Sequence, residues 1–357
     1  MNAGTPPPSP EAQLSFLAKL QRLFAEGDFT ATYKFALLVA LADLAVEFGA
    51  DDGNELELSN RKIAERFVIL YWRHASPYGT SRQGSEPGIL SQNNGAQAAV
   101  LTAIHAFRSK SVATSAEQAR GEAGYAGLLT KVASVVSAQP LSYMQNFGGG
   151  CDPFLFERSR RGAIRLKPGI AFCLRRFYPL VRQICTAHWV KHIKSNQRNH
   201  AILGDAGDLE DFLFATSRQS LAIVAVALRK LDGPRCFYCG AGLNEADVDH
   251  FVPFSLYPRD QVQNFVLAHP GCNRSKSDSL AARAHLERWM ERLTLKDDQL
   301  AEIGGAAGVA SDQRTAHRVA EWGYSNVHAA GGKAWRTAAQ YEVVDGGYLD
   351  VLRGAPL

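Results

Sequence analysis

Long apolar runs are missing from this chain. The most extended, Phe35 to Ala42 and Leu221 to Leu228, fall far short of the ~18 residues a membrane-spanning helix needs, which excludes a transmembrane reading. The N-terminal stretch MNAGTPPPSPE lacks the basic head and apolar core of a secretory signal, so the expected location is the cytoplasm and no membrane is expected as a partner. Cysteine is scarce, six residues in 357, and without a secretory route these read as free thiols or metal ligands before disulfides. Charge of one sign is also scarce, with a formal net charge of +4. A hydrophobic share of 46% and a charged share of 21% exclude a disordered tail, a collagen-like repeat and a coiled-coil rod. The length, more than twice a typical ~150-residue domain, predicts at least two domains.

The small net charge hides an uneven distribution. Residues 1–150 carry 12 Lys+Arg against 13 Asp+Glu, residues 151–203 carry 11 against 2, and residues 204–357 carry 16 against 20. All eleven cations of the middle segment lie between Arg158 and Arg198 with no acid among them, and Phe172, Phe177, Tyr178 and Trp189 are interleaved. That pattern predicts a surface facing a phosphate backbone, with Arg175, Arg176, Arg182, Lys191 and Lys194 as its contacts.

Helical signals dominate the first half. Ser9 and Pro10 read as cap and first turn of a helix running to about Gly27. Thr32 to Phe48, apolar almost throughout and stopped by Gly49, reads as a central buried helix, and Ser59 or Asn60 caps a third helix through Trp72. Residues 74–97, rich in Gly, Ser, Pro and Asn, read as a long exposed loop. Gly148 to Gly150 reads as a linker, since three glycines do not hold an element interior. A short strand at Ala163 to Leu166 and then helix to about Lys194 are expected, followed by one long helix from Asp208 to Leu231. The expected division is a helical domain over 1–150, a basic helical segment over 151–204, a chemistry-bearing domain over 205–295 and a helical extension over 296–357, in which Gly304 to Gly308 form a loop; Trp289, Trp322 and Trp335 are expected to anchor the packing of this extension onto the domain before it. The fold class expected is α+β, mostly helical.

Chemistry concentrates between Cys236 and Asp278, CFYCGAGLNEADVDHFVPFSLYPRDQVQNFVLAHPGCNRSKSD. Two ligand pairs of two-residue spacing, Cys236/Cys239 and His269/Cys272, stand 29 residues apart. Such turns bring both side chains to one tetrahedral ion, and Cys3His is a structural zinc set. Between them Asp249 and His250 sit on an alternating stretch that reads as a strand, and Asn273 and Lys276 open a new helix. The order Cys-x2-Cys, Asp-His, Asn, second ligand pair, Asn-x2-Lys resembles the HNH endonuclease superfamily and its zinc-stabilised ββα-metal finger. The line NFVLAHPGCNRSKSD is similar to the HNH domains of RNA-guided CRISPR nucleases and of McrA-type restriction endonucleases.

The resemblance covers about 45 residues and leaves residues 1–200 untouched. It implies that His250 deprotonates the attacking water, that Asp249 and Asn273 hold a divalent cation, Mg2+ or Mn2+, against the scissile phosphate, and that Asn264 steadies the loop and the orientation of His250. Lys276, one helical turn beyond Asn273, is expected to meet the phosphate as a point charge. These groups suit the reaction on their own terms, because phosphodiester hydrolysis asks for a cation to offset developing charge and for a base that works near neutrality. The family letter that is commonly His is here Asn273, and the oxygen donors favour hard cations. His269 departs from the cysteine more common in zinc-bound relatives. The implied function is DNA cleavage with 5′-phosphate and 3′-hydroxyl ends, with a setting in restriction or phage defence, alone or with other subunits of such a system. A ribonuclease with the same centre and a catalytically inactive zinc-dependent nucleic-acid-binding module remain as alternatives.

Overall fold

The computed structural model describes residues 5–79, 87–159, 162–203, 209–214 and 218–354. The chain divides into two compact units, Met1–Ala215 and Thr216–Leu357, and is α+β with helix predominating. Among the described residues no helix is long and apolar enough to cross a membrane.

In the first unit the apolar run after Thr32 forms the helix Tyr33–Phe48, and every side chain from Lys34 to Glu47 is buried. A helix apolar on all sides has no face for solvent and takes the centre. Helices Asn60–Trp72, Ile170–Arg176 and Tyr178–Ser195 pack around it. The Ser9 and Ser59 hydroxyls cap their helices by accepting from the amides of Ala12 (3.3 Å) and Lys62 (3.2 Å), each taking up an amide with no partner inside the helix.

The central helix brings two carboxylates into the core, and part of the basic segment answers them. Tyr178 Oη donates to Asp43 Oδ1 at 2.7 Å and Arg182 Nη1 lies 3.4 Å from the same oxygen, while Arg66 pairs with Glu47. Arg175 is buried. Its Nε donates to Asp51 Oδ1 at 2.8 Å, and its Nη1 donates to the carbonyls of Ala45, Val46 and Gly49 at 3.2, 2.7 and 3.2 Å, where the end of the central helix presents unpaired acceptors and partial negative charge. Arg175 and Arg182 were expected at a phosphate-facing surface. Arg175 is a core cation instead, and the half-buried Arg182 turns inward to Asp43, because a helix C-terminus and a buried carboxylate each demand a positive partner.

Other expectations for this unit also change. Gly148 to Gly150 is not a linker: Asn146 pairs with Cys151 and Phe147 with Gly150, and Gly148 and Gly149 turn the hairpin at φ of 61° and 77°, a left-handed pair that glycine adopts without strain. Residues 151–203 are not a separate segment either, since strand Leu56–Ser59 pairs antiparallel with Ala163–Leu166, which pairs in turn with Phe156–Ser159. Of the long helix expected from Asp208 to Leu231, the described residues show helix at Leu209–Phe214 and Arg218–Asp232; Asp208 and residues 215–217 lie outside the described set.

The second unit starts with helix Arg218–Asp232. Strand Asp247–His250 pairs antiparallel with Phe265–Ala268 and is followed by helix Pro270–Lys276. The next helix runs Arg283–Ala307, so Gly304 and Gly305 lie inside a helix and not in a loop. A Cβ on Gly304 would stand 3.0 Å from Val262 Cγ1 and from the Val309 carbonyl oxygen, so the glycine is a contact point. The chain after residue 296 is not wholly helical. Helix Gln313–Ala329 leads to a hairpin of Lys333–Thr337 and Gln340–Val343, then to helix Gly346–Arg353. This extension is one body with the finger: the Trp335 amide donates to the Leu280 carbonyl and the Ala282 amide to the Trp335 carbonyl, both at 2.7 Å. Trp289, Trp322 and Trp335 are buried, and the Trp289 ring stacks on Phe251 at 4.8 Å.

The loop expected at 74–97 holds core residues as well as exposed ones; its residues 80–86 lie outside the described set. Gln92 is fully buried. Its Oε1 accepts from Thr32 Oγ1 (3.0 Å) and Trp189 Nε1 (2.7 Å), and its amide nitrogen meets His74 Nδ1 at 3.2 Å. These bonds are what allow a polar side chain to sit there. His74 packs against Tyr71, Trp189 and Phe214, and burial pushes its pKa down from 6.5 to about 3. The folded form therefore holds this ring neutral where an unfolded chain protonates it. Stability is full above about 6.5 and falls as the pH drops toward 3, by about 1.4 kcal/mol per pH unit at most from this group. Chemical denaturation of the full chain at stepwise lower pH should show this loss, and His74→Gln should flatten it; an unchanged slope in the variant would contradict the assignment.

Candidate metal centre and nuclease site

The first ligand pair sits on a tight turn. The Gly240 amide donates to the Cys236 carbonyl and the Cys236 amide to the Ala241 carbonyl, both at 2.9 Å, and Gly240 closes the turn at φ 74°. The second pair lies where strand Phe265–Ala268 gives way to helix Pro270–Lys276, with His269 at the N-cap. Hairpin pairing carries the second turn to the first. The ligand atoms of Cys236, Cys239, His269 and Cys272 all lie within 4.8 Å of one another, and Cys239 Sγ is 3.2 Å from His269 Nδ1. A tetrahedral zinc with bonds near 2.1–2.3 Å sets its ligand atoms roughly 3.5–3.8 Å apart, so the cluster has the size zinc needs.

Orientation and charge agree. His269 Nε2 donates to the Gly242 carbonyl at 3.0 Å, which fixes the tautomer and leaves Nδ1 for the ion. Burial opposes a thiolate at Cys236, yet amides of Cys239, His269 and Tyr238 outweigh it and bring its pKa down to about 7. Cys272 is pushed up to about 12 by burial and by neighbouring Cys236 and Cys239, a crowding of negative charge that a divalent cation relieves. Four soft donors in this arrangement fit zinc.

The hairpin also disposes the other singled-out residues. Adjacent strand residues face opposite ways, so Asp247 and Asp249 share one face and His250 takes the other. Tyr238 Oη donates to Asp249 Oδ2, and Lys276 Nζ lies 3.1 Å from the same oxygen while donating to the His250 carbonyl at 2.8 Å. Burial pushes the Tyr238 phenol well above its ordinary value, with the Asp249 charge adding to it, so Tyr238 stays a donor. Lys276 has no solvent exposure; burial draws its ammonium below the ordinary lysine value and Asp249 acts against that. The expectation that Lys276 meets a phosphate is overturned, because an enclosed ammonium committed to Asp249 and the His250 backbone cannot reach one. It is a brace between helix and strand.

Asn264 grips the chain beyond His250 with both ends of its amide: Oδ1 accepts from the Val252 amide at 2.7 Å and Nδ2 donates to the Val252 carbonyl at 2.8 Å. Asn273 Nδ2 donates to Asp247 Oδ2 at 3.0 Å. A carboxylate only accepts, so this bond turns the Asn273 Oδ1 away from Asp247. Asp249 Oδ1 and Asn273 Oδ1 are thus the oxygens not spent on these bonds, and as hard donors they suit a magnesium-class ion. His250 Nε2 lies 2.8 Å from Asp260 Oδ1, and its ring rests against Phe254 and Phe265 at 5.1 and 4.8 Å. Among the described residues no hydrogen bond joins the His250 ring to Asp249 or Asn273; Lys276 links the strand positions instead.

Sequence reading missed Asp247, Tyr238 and Asp260. Asp247 was legible, since a period of two puts it on the face of Asp249. Tyr238 lay in view between the zinc cysteines. Asp260 carries no such signal, because a ten-residue excursion returns it to His250. Of the five cations expected at a nucleic-acid surface, Arg176, Lys191 and Lys194 are exposed.

Purified full-length protein should hold about one zinc per chain after dialysis. Cys239→Ser should lose that zinc together with the folded second unit, since metal and folding are coupled at such sites. A zinc-free wild type, or a variant that keeps its zinc and its melting transition, would contradict the assignment.

The family described as HNH endonuclease matches residues 236–282, from Cys236 past Lys276, and with the Cys3His cluster this identifies an HNH domain. No curated protein and no solved structure matches the chain. The family described as a domain of unknown function (DUF8808) matches residues 13–213, more than half of the chain. The chain therefore belongs to that family, and it carries an HNH endonuclease domain in its second unit.

Proposed function

We propose that the protein is a metal-dependent endonuclease or nickase that hydrolyses DNA phosphodiester bonds. The observation that carries this reading is that the HNH match encloses Asp249, His250, Asn264 and Asn273, and that each is held by a specific bond: Asp249 by Tyr238 and Lys276, His250 by Asp260, Asn264 by Val252, Asn273 by Asp247. His250 accepts a proton from the attacking water. Asp249 and Asn273 would hold Mg2+ or Mn2+, which supplies, when bound, a charge to offset the one that builds on the phosphate. Lys276 and Asn264 hold the backbone at His250 and at Val252 just beyond it, and sub-ångström placement is what proton transfer to a bound nucleophile requires. Water attack with departure of the 3′-oxygen leaves 5′-phosphate and 3′-hydroxyl ends, and one such centre cuts one strand.

Arg176, Lys191 and Lys194 form the phosphate-facing set in this reading, and the helix Tyr178–Ser195 that carries the two lysines has no acidic residue. The likeness of the line NFVLAHPGCNRSKSD to McrA-type and CRISPR-type HNH domains, together with a first unit of a different family, favours a place in restriction or phage defence. A reducing cytoplasm suits the Cys3His donors, whose cysteines must stay reduced to bind zinc as thiolates.

Supercoiled plasmid with Mg2+ or Mn2+ should become nicked, and His250→Ala should slow this by roughly 10²- to 10⁴-fold, the contribution of a positioned base, with DNA affinity kept. Cleavage of RNA alone would replace the substrate, and binding without cleavage of either by the wild type would favour the binding module. Lys191→Glu with Lys194→Glu should weaken DNA binding and lower the slope of log affinity against log salt by about 2; an unaltered slope would remove these lysines from the interface.

A further inference from the structure

We infer that Asp260 is the positioning residue that sets the tautomer of His250, so that Nδ1 is the nitrogen that takes the proton of the attacking water. This rests on the nuclease reading above and names a part of the site that the HNH resemblance does not supply.

The inference stands on one contact and on how firmly both ends of it are held. His250 Nε2 and Asp260 Oδ1 are 2.8 Å apart. An ionised carboxylate has no proton to give, so Nε2 must carry the hydrogen, and a neutral imidazole with hydrogen on Nε2 has its lone pair on Nδ1. Among the described residues Nδ1 takes part in no hydrogen bond, so that lone pair is not committed elsewhere. The His250 ring is lodged between Phe254 and Phe265, and its backbone carbonyl is tied to Lys276. Asp260 is anchored just as closely from its own side. The next residue, Gln261, is buried and bridges to Ala310; the Val262 amide donates to the Ala310 carbonyl at 2.9 Å, and the Asn264 amide donates to the Gln261 carbonyl at 2.9 Å. The carboxylate therefore arrives at His250 because the chain after it is fixed, not because a flexible side chain has wandered there.

In the reaction, an O–H bond of the attacking water breaks and its proton goes to Nδ1. The oxygen's electron pair forms the new bond to phosphorus, the bond from phosphorus to the 3′-oxygen breaks, and that oxygen leaves with the electron pair and takes a proton from solvent. Asp260 holds the ring in the orientation that makes the first transfer possible, and it faces the positive charge that the ring then bears, without touching the substrate.

The test uses the full-length protein with ¹⁵N-labelled histidine, supercoiled plasmid and Mn2+. Long-range ¹H–¹⁵N spectra in mildly alkaline buffer, with the His250 signals identified by their loss in His250→Gln, should show hydrogen on Nε2 and none on Nδ1. In Asp260→Ala the His250 signals should become a mixture of tautomers and kcat for nicking should fall by roughly 10²- to 10⁴-fold, the range for a base and for its loss of tautomer, with KM unchanged. Asp260→Glu should recover part of kcat. Zinc content and melting temperature of Asp260→Asn, which keeps the side-chain shape, separate this loss from misfolding. Hydrogen on Nδ1 in the wild type, or wild-type kcat in a folded Asp260 variant, would overturn the inference. A wild type that shows the expected tautomer but cuts no nucleic acid would instead overturn the nuclease reading and with it the catalytic part of the role.

Discussion

An ammonium group with no exposure to solvent has to be answered within the protein, and Lys276 is such a group. Its charge is met by Asp249 and one of its hydrogens by the His250 carbonyl, so one side chain from the helix fixes two successive residues of the strand. Breaking a buried pair by removing one partner costs about 3–5 kcal/mol because the other charge is left without an answer. The helix can deliver Lys276 there only if its first turn is placed correctly, and that turn carries His269 and Cys272. The Cys3His cluster, the hairpin and the buried lysine are thus successive demands on one geometry, and the disposition of Asp249, His250 and Asn273 is its outcome.

The same electrostatic logic governs the first unit at its centre. A helix buried on every side could have been wholly apolar, yet it carries Lys34, Asp43 and Glu47. Tyr178, Arg182 and Arg66 answer the acids, and Arg175 answers the carbonyls at the helix end. Counting cations along a segment therefore overstates the charge a surface presents. What remains outward on the helix Tyr178–Ser195 is a smaller set, and it is this set that bears on nucleic-acid contact.

Patterns that depend on near neighbours in the chain were readable from residues alone. The caps at Ser9 and Ser59, the buried run after Thr32, and the ligand pairs at Cys236/Cys239 and His269/Cys272 all follow from spacing and local chemistry. Contacts that join distant stretches were not. Nothing near Leu56 announces that its partner is Leu166, because strand pairing across a hundred residues is settled by which edges the helices leave open. Lys276 illustrates the subtler failure: its position in the helix was readable, but its direction was not, since one turn of helix separates a lysine that faces solvent from one that faces the core. Asp260 is the extreme case, a residue whose meaning comes entirely from where a loop returns.

The central claim is that the finger gathers Asp249 and Asn273 around a hard cation on the reach of His250. Anomalous diffraction from crystals of the wild-type protein soaked in Mn2+ tests it most directly. The account predicts a manganese peak bonded to Asp249 Oδ1 and Asn273 Oδ1, with His250 Nδ1 facing a water in its coordination shell. Manganese bound elsewhere on the finger, with these two oxygens turned from each other, would contradict it.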